Sequence, residues 1–401
     1  MPNPTLTYQR LSDAVAGSTA AIRSVTALQP AGGKGDKIFP ATYEGGSYAT
    51  EERIIDGKRT PCVLIDSVAS QANRMEQALR AAHRRYREDG LAFPLVLVGF
   101  AERFPDLGEI TALDASHRLA DAIFRDSTLG GVAFRDSPVG KALDDARITN
   151  ATPLYRACPH ALLFGLWDST GPLGGMGAKF PRCLVSEIVG IDAVAGKRVS
   201  SRLDPLQIAV AAGPLYAAKS GGWTFEAAKA SGKGKDVKVM KPSEINHGNV
   251  TPTISDGGFT IDHARQVTVL SLPGLRRLRF PLAGGKTSDA SGVAARTVLA
   301  AMALVAMARQ RQEGYDLRSR CHFVATAQPD LEFVPADGGE PAHLSLDVAG
   351  AEGVFAEAVQ VAAKAGVPWD DQDIVLTPTP FLVDLIARSR AAHGAGQVED
   401  G

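Results

Sequence analysis

Between Trp167 and Cys183 the chain reads WDSTGPLGGMGAKFPRC, a run of glycines with Lys179 and Arg182 just beyond it. Glycines let main-chain amides approach an anion, and the two basic residues supply charge. The pattern fits a nucleotide-phosphate loop, a clamp on a nucleic-acid backbone, or a plain surface turn. A Walker loop requires GxxxxGK followed by Ser or Thr. GPLYAAKS (213–220) has Ala218 at the second glycine, and FPLAGGKT (280–287) has Phe280 at the first. GGMGAK (174–179) misses GxGxxG, and no acidic partner stands at the expected distance from it.

Bond-breaking chemistry is no better provided for. The eight histidines form no HExxH, the four cysteines (Cys62, Cys158, Cys183, Cys321) form no CxxC, and GxSxG is missing. The cysteines are expected as reduced core thiols. His247, in NHGN (246–249), is the tempting general base, yet a histidine in a glycine loop more often makes structural hydrogen bonds. No catalytic residue, metal ligand or cofactor is expected. What remains is Arg, Lys, Asn, Ser and Gln near helix starts and in glycine loops, the groups that hold phosphodiesters. Aromatics make up 6% of the chain, so base stacking is not expected as the main device.

These residues need a scaffold. TPCVLIDS (60–67), FPLVLVGF (93–100) and QVTVLSL (266–272) read as strands, and so do ALLFGLW (161–167) and LRRLRF (275–280). LRSRCHFVA (317–325) alternates apolar and basic residues. The spacing of Val68, Ala72, Met75, Leu79, Ala82 and Tyr86 predicts a helix over 67–86, capped by Asp66 or Ser67. Its polar face carries Ser70, Asn73, Arg74, Gln77 and Arg84. Thr111 and Asp114, in capping-box positions, predict a second helix through TALDASHRLADAIFRDS, and an alanine-rich helix spans 291–312. Residues 190–260 look like an insertion on a core. Strands and helices in mixed order indicate an α+β domain of ferredoxin or RNA-recognition type.

With 401 residues and a formal net charge of −1, bulk charge does not announce a polyanion ligand. Its distribution does: six lysines lie between Lys219 and Lys241, four basic residues and no acid lie between Arg276 and Lys286, and seven acids with no Lys or Arg lie between Cys321 and Ala363. The expected organisation is an N-terminal segment (1–60) contributing to the core domain, that domain over 61–330, and an acidic extension over 331–401 with a disordered tail. No signal-peptide run is apparent, and the most apolar helix is too short to span a bilayer. A cytoplasmic protein without membrane contact is expected.

Five stretches carry a resemblance: SVASQANRMEQAL, ITALDASHRLADAI, HALLFGLWDSTGPLGGMGAKFPRCLVSEIVG, KRVSSRLDPL and INHGNVTP. Together they resemble the Csb/GSU-type RAMP family, the Cas-seven-type backbone subunit of the type I-U (I-G) CRISPR Cascade. The resemblance implies a modified RNA-recognition palm with inserted finger and thumb elements, the insertion falling at about 190–260. It implies copies polymerised as a helical filament along one crRNA, spacer bases left free for a target DNA strand, and contact with a large subunit and a repeat-end-binding subunit. On the matching positions the implied RNA ligands are Ser70, Asn73, Arg74, His117, Arg118, Gly174, Gly175, Lys179, Arg182, Arg198, Arg202, His247 and Asn249. A non-catalytic scaffold is the expectation. An RNA-processing nuclease of the same superfamily is the alternative, and a nucleotide-dependent enzyme using the near-miss loops is a further one.

Overall fold

The computed structural model describes residues 3–171, 174–232, 237–328, 330–369 and 372–399. In chain order, α1 (Tyr8–Ala16) leads into β1 (Thr19–Pro30); β2 (Thr50–Ile55) and β3 (Lys58–Asp66) form a hairpin, and α2 (Val68–Ala82) follows. Next come β4 (Val96–Gly99), β5 (Glu109–Thr111), the short β6 (Leu166–Trp167) and β7 (Lys179–Phe180), then β8 (Leu184–Ile191) and β9 (Val194–Arg202). After β10 (Val250–Thr260) and β11 (His263–Ser271) run α3 (Leu272–Arg276), α4 (Asp289–Gln312), β12 (Tyr315–Arg318) and β13 (Cys321–Ala325). The chain closes with β14 (Asp330–Pro335), β15 (Ala342–Leu344), α5 (Val348–Lys364), β16 (Ile374–Pro378) and α6 (Pro380–Glu399).

The main sheet runs β12–β13–β1–β11–β8–β3–β2, with β14 and β15 extending it beside β1. Neighbours within β13–β1–β11–β8 are all antiparallel. Taking β1, α2, β8, β11, α4 and β13 in chain order gives βαββαβ, with the fourth strand beside the first and the third between first and second. That is the ferredoxin-like, RNA-recognition arrangement. The fold is α+β, as the element order predicts.

Alternation sets the faces. Along β11, Ala264, Gln266, Thr268 and Leu270 point inward and their neighbours outward. The inward amides and hydroxyls satisfy one another: Gln266 Nε2 donates to Gln71 Oε1 (2.7 Å) and to Gln310 Oε1 (3.1 Å), and Tyr315 OH donates to Gln266 Oε1 (2.8 Å). α4 is long and apolar enough to cross a membrane, but 83% of its apolar window is buried inside the protein. Its alanines allow close packing against α1, α2 and α5, so it is buried almost all round.

The chain forms two compact units. One comprises 1–194 and 259–379; the other comprises 195–258 and 380–401. Within the second, β9 and β10 make a two-stranded ribbon, and Leu215–Ala217, Trp223–Thr224 and Val239–Met240 make a small sheet. Residues 233–236 of the lysine-rich stretch lie outside the described residues.

Several expectations are corrected. The acidic stretch after 330 is no appendage: β14 pairs with β1, Glu332 pairs with Arg23, α5 packs on α4, and β16 pairs with β4. α6 runs to Glu399, and residues 400–401 of the tail lie outside the described residues. ALLFGLW is a helical turn, Ala161–Phe164, broken at Gly165 (φ 88°) before β6. LRRLRF is the end of α3 and an irregular return, because Ser271 caps a helix there: its Oγ accepts from Gly274 N at 3.1 Å.

Candidate nucleic-acid interface

The glycine loop is closed by β6 and β7, which place Trp167 opposite Lys179. Asp168 follows, fully buried. Its N–H donates to the Ala178 carbonyl (2.8 Å), and its carboxylate receives Arg135 Nη1 and Nη2 at 2.7 and 2.9 Å. A Cβ at Gly171 would stand 2.4 Å from Asp168 Oδ2, and one at Gly177 would stand 2.1 Å from the Asp168 carbonyl oxygen. Two of the glycines expected to admit phosphate therefore admit the loop's own Asp168. Gly174 (φ 53°) and Gly175 form a tight turn with Met176. Pro172 and Leu173, inside the same motif, lie outside the described residues.

So closed, the loop presents side chains. Lys179 Nζ lies 4.8 Å from the centroid of the Trp167 ring, which is 53% exposed. Arg182 is exposed and ties the loop to the start of α2, its Nη1 donating to the Val68 carbonyl (3.2 Å). With the exposed His117, these residues border an open cleft of about 820 Å³ floored by Phe164 and Phe180. A cation stacked on an indole beside a second cation can take a base on the ring and a phosphate on the charges.

Arg118, expected among the RNA ligands, is buried. Its Nε and Nη2 donate to Glu76 Oε1 and Oε2 (2.7 and 2.8 Å), and its Nη1 donates to the Gly165 carbonyl (2.9 Å). Burial pushes the Glu76 carboxyl up to about 7, against the pull of Arg118. Arg118 thus holds α2 to the turn before β6. The same pair defeats the helix expected from Thr111. Thr111 N and Oγ1 do donate to Asp114 Oδ2 (2.9 and 2.8 Å), but Arg118 reaches Glu76 from a left-handed backbone (φ 51°), which ends the turn. Residues 118–120 and 122–125 form separate short helices instead.

On α2, Ser67 is the N-cap, its Oγ accepting from Ser70 N at 3.3 Å. Ser70 is half-buried and Asn73 exposed. Arg74 is half-buried: its Nε donates to Asp66 Oδ2 (3.0 Å) and its Nη2 to the Leu317 carbonyl (2.8 Å). Asp66 is fully buried and also receives Gln71 Nε2 (2.7 Å), so it is a core carboxylate and not a cap. Arg74 is thereby a member of the α2–β12 network.

The remaining four expected ligands belong to the second unit. Arg198 Nε donates to Ser255 Oγ (3.1 Å) across the ribbon, and its stem lies over Gly257, where a Cβ would come within 2.7 Å. Arg202 is half-buried. Asn249 Oδ1 accepts from Asp204 N (2.7 Å), while the Asp204 carboxylate accepts from Gly248 N (2.8 Å) and Ile208 N (3.0 Å). Those bonds, that of Gly248 foremost, hold the Asp204 carboxyl below its usual range. His247 N donates to the Pro242 carbonyl (2.8 Å), and its buried Nδ1 has no hydrogen-bond partner. Among the described residues, no three His, Cys, Asp or Glu side chains cluster as metal ligands.

Residues 22–195 match the family described as CRISPR-associated protein GSU0053. No curated protein matches the chain. Among solved structures the chain is similar to the crystal structure of Thermofilum pendens Csc2, at 12% identity and a TM-score of 0.29, over 89% of this chain and 86% of that one. The Trp167 cleft, α2 and both buried arginine pairs fall inside the GSU0053 segment; Arg198, Arg202, His247 and Asn249 fall outside it. Trp167 is the residue that sequence reasoning passed over. The available signal was a large aromatic beside Asp168 at the mouth of a glycine loop, where strand alternation turns it outward.

Proposed function

We propose that the chain is a non-catalytic backbone subunit of a CRISPR surveillance complex that grips crRNA by its phosphates. Copies line up along the RNA as a filament and leave spacer bases free for a target DNA strand, and other Cascade subunits close the ends. The observation that carries this reading is the Trp167–Lys179–Arg182 cleft, an indole and two cations fixed on a loop that buried pairs hold rigid, within the GSU0053 segment. Asn73 and Ser70 extend the polar surface along α2, and the ribbon with Arg198 and Arg202 is the proposed thumb or finger. The test is single-stranded RNA binding by the purified protein. Lys179→Ala combined with Trp167→Ala should weaken it by about 10-fold or more, since stacking alone is worth ~1–3 kcal/mol per base. Unchanged affinity in that variant would remove the cleft from the reading. Incubation with guide and labelled target strands should yield no cleavage, with or without divalent metal.

A further inference from the structure

The basic stretch 276–286 is not explained by the cleft. Three of its neighbourhood's arginines converge elsewhere, in a pocket of about 450 Å³ at the start of α4, lined by Arg276, Arg279, Arg296, Thr287, Ser288 and Asp289. Phe280, buried, backs it and packs edge-on to Tyr155 at 5.4 Å.

The hydrogen bonds of these arginines run to main-chain carbonyls. Arg276 Nε donates to Val15 (3.2 Å) and its Nη2 to Thr19; Arg279 Nη1 donates to Arg276; Arg296 Nη1 donates to Leu278 (3.1 Å). Among the described residues none of the three forms an ion pair with a carboxylate, and Arg296 Nε is buried with no partner at all. Burial pushes the Arg276 and Arg296 guanidiniums below their ordinary range, and at Arg296 the charge of Arg279 adds to this. Gly292 lies against the guanidinium, and a Cβ there would stand 3.2 Å from Arg296 Nη2. Three guanidiniums against the single carboxylate of Asp289 leave an excess of two positive charges in a half-enclosed space. Such a cluster is unfavourable alone and is relieved by a dianion with several acceptor oxygens.

We propose that the Arg276–Arg279–Arg296 pocket binds a phosphate monoester dianion, with the guanidiniums as charge partners and Thr287 and Ser288 as hydroxyl donors. Charge selects the class: a diester carries one negative charge, whereas a terminal or free phosphate carries about −1.5 to −2 at neutral pH. Two sources share that chemistry, the phosphorylated end of a nucleic-acid strand and a free small phosphate. One main-chain hydrogen bond links the pocket to the cleft: Arg279 N donates to the carbonyl of Ile148 (2.9 Å), and Ile148 lines the cleft. The proposal does not depend on RNA occupying that cleft.

The experiment uses the full chain. Inorganic phosphate, compared with chloride at equal ionic strength, should raise the melting temperature of the parent protein. Arg279→Gln, on an exposed side chain, should weaken phosphate binding by about tenfold or more by calorimetry, the scale of one lost charge-assisted bond. Arg296→Gln should act in the same direction. Arg277→Gln, which removes the same charge outside the pocket, should leave binding unchanged, as should Trp167→Ala. Tighter binding of a 5′-phosphorylated than a 5′-hydroxyl RNA, lost in Arg279→Gln, assigns the strand end as the source; equal binding of the two RNAs with phosphate protection intact assigns a free phosphate. Absence of any phosphate-specific protection, or protection that survives both Arg279→Gln and Arg296→Gln, overturns the proposal.

Discussion

The glycine loop 166–182 and the insertion 195–258 are alike in composition and unlike in how they are held. Both are rich in Gly and carry exposed Lys and Arg. In the loop the counter-charges are inside: Asp168 meets Arg135, and Glu76 meets Arg118, with both carboxylates buried. In the insertion they are outside, as Lys229–Glu226 (2.7 Å), Lys238–Glu244 (2.9 Å) and Lys197–Asp256, all with exposed side chains. Buried pairs cost several kcal/mol to break on one side, whereas exposed ones contribute little. The insertion also leaves Leu203, Leu206, Val210 and Phe225 more than half exposed. One basic region is therefore fixed by its interior, and the other has apolar surface and charge to spare for whatever covers it.

Removing one side of a buried pair tests this contrast most severely. Arg118→Ala should lower the unfolding free energy by ~3–5 kcal/mol, because it strands Glu76 in the interior. Lys197→Ala in the ribbon should cost ~0–1 kcal/mol. Denaturant unfolding of the two variants reads both numbers. Similar costs would mean that the two regions are held alike.

The glycines sharpen the comparison. Gly177→Ala should destabilise by ~1–3 kcal/mol, the scale of overpacking, because its Cβ meets the Asp168 carbonyl. Gly174→Ala faces open space and meets only its backbone angle (φ 53°), so it should cost about 1 kcal/mol. RNA affinity should follow the first variant more than the second. If the loop tolerates Gly177→Ala at full stability, Asp168 is not what fixes it.

Much of this fold was readable in the chain. β3, β4, β11 and α4 announced themselves by apolar runs or periodicity, and the insertion by its irregular composition. The acidic extension misled, since its charge said surface while alternation in LEFVP put Leu331 inward beside β1. Of the candidate site, the motif makes Lys179 and Arg182 legible, whereas the partners of Arg74 and Arg118 are not, because a sequence does not show which carboxylate an arginine meets. Asp66 and Glu76 sit 8 and 42 positions from their partners, and only the packing of α2 joins them.

The last expected effect is a slope that cancels in the parent protein. His160 is fully buried beside Arg118, its Nε2 3.2 Å from the Ala112 carbonyl, and burial pushes it down to about 3 from 6.5. Between those values the unfolded chain binds a proton that the folded one refuses, so His160 makes stability rise with pH and is a liability in acid. Glu76 does the reverse. With its folded value near 7 and its ordinary value 4.5, the folded state holds a proton that the unfolded one releases, so stability falls as pH rises across that window. From 4.5 to 6.5 the two oppose, one proton each way. His160→Asn should remove one side. Relative to the parent, its unfolding free energy should then fall with rising pH by ~1.4 kcal/mol per unit across that interval and level off above 6.5. Urea titrations of both proteins at several pH values give the difference directly. A flat difference would show that His160 keeps its proton in the fold, and that the interior beside the cleft is wetter than its packing implies.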